Sequence, residues 1–160
     1  MTTHPTDAAA STHNPGRAAV GIPAGSATPG LLPAGPEPRT WTIEMPAGMD
    51  LLNANDRDGH WARRQRITTG LRQIAGWTAR AQNIPPLQRA HILAVYEPPD
   101  RRKRDAGNLY PSFKACIDGI VTDAGVLPDD DSTHLDGPDM RIGEKFPRGR
   151  LVLHITEVAS

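Results

Sequence analysis

Acidic and basic side chains are concentrated in one stretch of the chain, residues 101–131. The stretch opens with four consecutive cations: Arg101, Arg102, Lys103 and Arg104. Asp105 follows them directly, and the stretch closes with three adjacent carboxylates: Asp129, Asp130 and Asp131. Neighbouring carboxylates repel one another unless they are solvated, protonated or bound to a cation. Hard oxygen ligands of this kind suit Mg²⁺ or Mn²⁺, so the stretch is a candidate metal site beside a candidate phosphate-binding run.

Simpler interpretations of the same residues stay open. The acidic triplet after Leu127-Pro128 could be a solvated loop, and the basic run could be a solvated hairpin tip. Lys114 and Asp118 stand four residues apart and could form only a surface ion pair, worth about 0.3–0.5 kcal/mol. An EF-hand is excluded, because no register supplies its aspartates, glycine and glutamate together.

A short helix connects the basic run to the acidic triplet. Its apolar positions recur at helical spacing: Phe113, Ile117, Ile120, Val121 and Ala124. Pro111 is tolerated only in a first helical turn, and Gly125 suits a C-terminal stop. This helix would bury one stripe and present Lys114 and Asp118 beside it.

The spacing of these residues resembles a known signature. The matching positions are Arg104-Asp105-Ala106-Gly107-Asn108-Leu109, Lys114, Asp118-Gly119, Ala124-Gly125 and Asp129-Asp130. They are similar to the R-D-x-D-N-L opening, lysine, D-A/G-L segment and A-G-x-x-x-D-D ending of the RusA family of Holliday-junction resolvases. The resemblance is specific in this stretch and looser from Trp41 to Val158.

The resemblance implies a homodimeric, magnesium-dependent endonuclease that cuts four-way DNA junctions in recombination and repair. It implies that Asp105, Asp129 and Asp130 hold Mg²⁺ or Mn²⁺, with Asp118 as a further candidate ligand. Asp105, Asp130 and Lys114 would then be the catalytic residues, with Lys114 steadying the scissile phosphate or the developing negative charge.

Two positions depart from the family pattern. Gly107 stands where the family has its second, catalytic aspartate, and Asp118 or Asp131 could replace that carboxylate. Pro111 stands at the family's lysine position, and Lys114 follows three residues later, which we interpret as an insertion of about 300° of helix that keeps the lysine near its face. Gly107 therefore leaves a second hypothesis open, a non-catalytic junction- or DNA-binding protein of the same fold. An unrelated acidic-loop interaction domain is a third.

The sequence also predicts the strands and helices that would position residues 101–131. Residues 40–45 and 88–97 are predicted to be strands, and residues 132–142 and 150–158 look like two further strands. Helical spacing predicts a long helix over about residues 60–82. With the short helix, the order is strand, helix, strand, helix, strand, strand. The sequence predicts an α+β two-layer domain with a mixed sheet of about four strands and two helices. Both faces of the 88–97 strand are largely apolar, which predicts a central position in the sheet.

Domain boundaries and DNA contacts complete the sequence interpretation. Residues 1–39 are rich in Pro, Gly and Ala and are expected to form a disordered arm, leaving residues 40–160 as the endonuclease-like domain. Lys and Arg total 18 and so do Asp and Glu, so any DNA contact must come from local patches. A polar loop before the long helix supplies further candidates, although its Asp58 could equally serve as a helix cap. The DNA-binding candidates are Arg57, His60, Arg63, Arg64, Arg101, Arg102, Lys103 and Arg104.

The single cysteine and the absence of long apolar runs give an expectation for the cellular compartment of the protein. Cys116 cannot form an internal disulfide, which favours a reducing, cytoplasmic setting. No apolar run approaches the roughly 20 residues that span a membrane, and the N-terminus lacks the pattern of a secretory signal.

Overall fold

The structure is a computed structural model and describes residues 37–56 and 60–159. The expected arm therefore lies almost entirely outside the described residues. Arg57, a DNA-binding candidate, and Asp58, a candidate helix cap, also lie outside them.

The order of elements agrees with the sequence prediction. The strands are β1 (Thr40–Glu44), β2 (Ala90–Glu97), β3 (Leu135–Ile142) and β4 (Arg150–Glu157). The helices are α1 (Trp61–Ala81) and α2 (Tyr110–Asp118). A 3₁₀ turn (Ala106–Leu109) precedes α2, and a π-helical turn (Gly119–Asp123) continues it. None of the helices in the described ranges is long and apolar enough to cross a membrane.

The four strands form one mixed sheet in the order β1-β4-β2-β3. β4 pairs antiparallel with both β1 and β2, while β2 and β3 are parallel. The predicted central position of β2 is confirmed. Parallel strands need a long crossover connection, and the connection from β2 to β3 contains α2. Residues 101–131, the charged stretch, lie within this connection.

The hydrophobic core lies between the helices and one face of the sheet. Ile92 and Ala94 of β2 are fully buried and pack with Leu71 of α1 and Phe113 of α2. Leu93, which points to the other face, is only half-buried. Both helices thus cover the same face, and the predicted α+β two-layer class is confirmed.

The two helices meet backbone to backbone at a pair of glycines. A Cβ added to Gly119 would lie 2.1 Å from the Arg72 carbonyl oxygen, and one added to Gly76 would lie 2.8 Å from the Gly119 carbonyl oxygen. Arg72 also donates two hydrogen bonds of 2.7 Å to the Asp123 carboxylate. This close contact fixes the end of α2 against α1.

β3 begins later than the sequence predicts. It starts at Leu135, because the Asp131 carboxylate accepts hydrogen bonds from the backbone N–H of Thr133 at 2.8 Å and of His134 at 3.2 Å. Side-chain capping of this kind makes residues 131–134 a turn instead of the start of a strand.

Candidate functional site

A surface cleft of about 410 Å³ opens where the chain leaves the C-terminal end of β2. Its polar lining includes Asn53 from the loop after β1, together with Lys103, Arg104, Asp105 and Asn108. The apolar lining consists of Leu51, Tyr96 and Leu109. Lys103 and Arg104 of the sequence-predicted basic run therefore share one concave surface with Asp105, and this surface combines cations with amide groups.

The loop after β1 is held against α2 by a buried serine. The Ser112 hydroxyl is fully buried; it donates to the Leu52 carbonyl at 2.9 Å and accepts from the Leu52 N–H at 2.6 Å. The Ala54 N–H also donates to the Asn108 carbonyl at 2.7 Å. These bonds bring Asn53 to the cleft. The sequence analysis did not identify Ser112 as a structural residue. Its only indication in the sequence is its position next to Phe113, which belongs to the apolar stripe of α2.

The members of the basic run have different roles. The Arg104 guanidinium donates to the Asp100 carboxylate at 2.6 Å and to the Arg102 carbonyl at 3.0 Å, so Arg104 clamps the turn. Its hydrogen bond lowers the pKa of Asp100 to about 2. Arg101 and Lys103 are exposed and have no carboxylate within 4.0 Å in the described part of the chain. Within the basic run, they are the cations most available to a phosphate.

Asp105 begins the 3₁₀ turn that precedes α2. One of its carboxylate oxygens accepts the Gly107 N–H at 2.9 Å, while the side chain stays exposed at the cleft. A Cβ at Gly107 would lie 3.3 Å from that oxygen, with no other atom closer than 3.8 Å. A side chain at position 107 would therefore stand directly beside the Asp105 carboxylate.

Lys114 joins two of the predicted metal ligands. Its ammonium group donates short hydrogen bonds to the carboxylates of Asp118, one turn along the helix, and of Asp130, in the acidic triplet. The simple ion pair considered from the sequence is thus present, but Asp130 converts it into a bridge between α2 and the acidic loop. The Lys114 and Asp130 side chains are 40% and 31% exposed, so solvent screens the bridge in part.

The bridge changes the protonation equilibria of its members. Burial lowers the pKa of Lys114, but the hydrogen bonds from its ammonium to Asp118 and Asp130 outweigh burial, and the net pKa is raised. The hydrogen bond from Lys114 lowers the pKa of Asp130. Both shifts favour the charged forms at neutral pH.

The other acidic residues of the triplet have local roles. The Asp129 side chain is exposed and accepts the Asp130 N–H at 2.7 Å. Asp131 caps the turn before β3, where the Thr133 N–H is the main cause of its lowered pKa. Asp131 therefore has a capping role in this turn, and its replacement of the carboxylate missing at Gly107 stays a prediction.

The predicted metal ligands make different contacts. Carboxylate oxygens suit Mg²⁺, but within residues 37–56 and 60–159 no three His, Cys, Asp or Glu side chains converge as metal ligands. Asp105 lines the cleft, while Asp118 and Asp130 share the single positive charge of Lys114. Binding of Mg²⁺ by these carboxylates stays a prediction.

The remaining DNA-binding candidates lie at the start of α1. His60 and Arg63 are exposed; the Arg63 guanidinium lies 3.7 Å from the Asp50 carboxylate. The Arg64 guanidinium donates to the Asp56 carbonyl at 3.3 Å. The first turn of α1 is thereby attached to the same loop that supplies Asn53 to the cleft.

Comparison with known proteins leaves the family open. No protein-family model matches the chain, and no curated protein matches its sequence.

Proposed function

We propose that this protein is a RusA-like, structure-specific DNA endonuclease that resolves four-way junctions in recombination and repair. The observation that carries the proposal is the meeting of Lys114, Asp118 and Asp130 at one place. All three residues belong to the sequence signature, in which they are separated by up to 16 positions.

The cleft supports the DNA-binding part of the proposal. Arg101 and Lys103 are cations without carboxylate partners among the described residues, and they suit phosphate oxygens. Asn53 and Asn108 add amide groups that can donate to phosphate or sugar. The neutral net charge is compatible with this role because these cations are clustered.

Mg²⁺, or Mn²⁺, is the cofactor that the sequence resemblance implies, held by Asp105, Asp118, Asp129 and Asp130. No three described carboxylates converge, so this part of the proposal rests on the sequence signature. The chain's own contribution is an ammonium group at Lys114, which is positioned to stabilise negative charge on a phosphate that approaches Asp130.

A homodimer in the cytoplasm completes the proposal. Resolution of a four-way junction needs two strand cuts, and two subunits would supply one site each. A single cysteine cannot form an internal disulfide, which suits a reducing compartment. Cys116 is buried, and burial raises its pKa to about 12, so its thiol is unreactive.

A second candidate function is junction binding without cleavage. Two observations favour it: Gly107 in place of the family aspartate, and the absence of a converging ligand set among the described residues. Both candidates require the same DNA recognition and differ only in chemistry.

Binding to branched DNA tests the recognition that both candidates share. Labelled four-way junction and linear duplex of the same base composition are titrated with protein in EDTA at several salt concentrations. We expect tighter binding to the junction, with Arg101→Ala and Lys103→Ala weakening it and reducing its salt dependence. Lys145→Ala, an exposed lysine after β3, is the matched control. Equal affinity for junction and duplex would contradict both candidates.

A further inference from the structure

The side chain of Trp61 is a large aromatic group that is exposed to solvent. It is the first residue of α1 and is 76% exposed, the largest exposed fraction among the large hydrophobic residues in the described ranges. Indole groups are usually at least partly covered, and exposed ones are enriched at binding surfaces. A contact with a partner would account for the exposure.

The surroundings of Trp61 connect it to the cleft. Arg63 and Arg64, in the same helical turn, contact Asp50 and the Asp56 carbonyl of the loop after β1. That loop is bonded in turn to Asn108, which lines the cleft beside Asp105. The start of α1, to which Trp61 belongs, is therefore bonded to the loop that lines the surface that we propose binds DNA.

Charge around Trp61 favours a polyanionic partner. The first turn of α1 contains no acidic residue, although carboxylates are the favoured side chains at a helix N-terminus. It contains Arg63 and Arg64 instead, with exposed Arg66 in the next turn. Cations at this position are unfavourable for the helix itself but attract phosphate. An aromatic ring among cations is the composition of surfaces that stack nucleobases while binding the backbone.

We propose that Trp61 stacks on an unpaired or unstacked nucleobase at the branch point of the bound DNA. This inference rests on the proposed function and adds a source of structural selectivity to it. Bases within a continuous duplex are already stacked on both sides, so an indole can replace a stacking partner only where strands part. The contact would therefore distinguish a junction from linear DNA without reading sequence.

The experiment compares Trp61→Ala with Trp77→Ala. Trp77 is on the same helix and 60% exposed, but it lies beside Gly76, Arg80 and Asp123, away from the loop after β1. Dissociation constants for junction and fully paired duplex are measured in EDTA over a series of salt concentrations. Melting temperatures of both variants check that they fold.

We expect Trp61→Ala to weaken junction binding by about 5- to 150-fold, the range that corresponds to loss of one base–aromatic stack. Duplex binding and the salt dependence of junction binding should change little, because no phosphate contact is removed. Trp61→Phe should restore most of the affinity, and Trp77→Ala should behave like the natural protein. A 2-aminopurine base at the branch point should be quenched by the natural protein and not by Trp61→Ala.

Other results separate failure of the inference from failure of the proposed function. Junction binding and quenching that survive Trp61→Ala would overturn the inference and leave the proposed function standing. Equal weakening on junction and duplex would show a general contact and overturn the claimed selectivity. A natural protein that does not prefer the junction would contradict the proposed function, and the inference with it.

Discussion

Lys114 is the residue on which the interpretation of the acidic triplet depends. The sequence predicts a divalent metal beside these carboxylates, which stays a prediction; in the structure, Asp130 is bridged to Asp118 by the ammonium group of Lys114. The positions of Lys114 and Asp118 could be predicted from helical spacing. The contact with Asp130 could not, because it depends on the path of the loop between α2 and β3.

Replacing Lys114 by methionine should lower the stability of the domain. The change keeps the apolar part of the side chain but leaves Asp118 and Asp130 without their shared cation. We expect a loss of roughly 1 kcal/mol, discounted for the exposure of the bridge, or about 3–6 °C in melting temperature. Lys145→Met, at an exposed position, is the control and should have no such effect.

The effect of Lys114→Met should depend on pH in a defined direction. The pKa of Asp130 is lowered on folding, so its contribution is present above the unfolded value of about 4 and is lost as the pH falls through the folded value. The pKa of Lys114 is raised, so its contribution is present below about 10.4 and is lost as the pH rises through the folded value. Thermal melts from acid to alkaline pH should show the largest difference near neutrality. A difference that is constant with pH would contradict the bridge.

Gly107 can be tested independently of catalysis. An aspartate at this position would place a second carboxylate beside Asp105, because a Cβ there meets only the Asp105 side chain. We expect Gly107→Asp to bind Mn²⁺ more tightly than the natural protein, measured by calorimetry or electron paramagnetic resonance. Gly107→Asn has the same shape without the charge and should not. Equal Mn²⁺ affinity of all three proteins would show that position 107 does not contribute to a metal site.

At the scale of elements, local patterns were sufficient for the fold but not for the contacts between elements. All four strands and both helices were predicted from local patterns, although β3 buries only Leu135. Hydrogen bonds between residues far apart in the sequence, such as those between Ser112 and Leu52, produce no periodic pattern and could not be predicted. Capping by Asp131 likewise shortened β3, because a side-chain bond competed with strand formation there.

The helix contact predicts opposite effects for two glycines. Gly119→Ala should place a methyl group against the Arg72 carbonyl, force α1 and α2 apart and cost about 2–3 kcal/mol. Gly70→Ala, in α1, meets nothing within 4 Å and should stabilise by about 0.5–1 kcal/mol. Chemical denaturation of both variants measures the difference. Similar stability changes for the two would refute the close helix contact.

At the scale of the whole molecule, a neutral chain must concentrate its cations to hold DNA. The candidate DNA-binding residues come from two elements, the first turn of α1 and the segment after β2, and the loop after β1 links them. Composition alone could not predict this linkage, since it is created by the packing of the loop on α2. The local surface, and not the net charge, decides what the molecule can bind.

The proposed symmetrical cleavage of a junction predicts a homodimer. Sedimentation equilibrium at micromolar concentration should give twice the chain mass of 17.3 kDa. The same measurement in high salt distinguishes an apolar interface from a charged one, because only the latter weakens. A single monomeric species throughout would contradict two-site resolution by one bound protein.

Cleavage of an end-labelled four-way junction, with Mg²⁺ and with EDTA, tests the central claim most directly. We predict that the natural protein cuts the junction only with the metal. Asp130→Asn should bind the junction at least as tightly without cutting it, because the substitution removes a negative charge near phosphate. If the natural protein binds but does not cut, and Gly107→Asp cuts, the second candidate function is correct. The endonuclease proposal is contradicted if neither protein cuts branched DNA in Mg²⁺ or Mn²⁺.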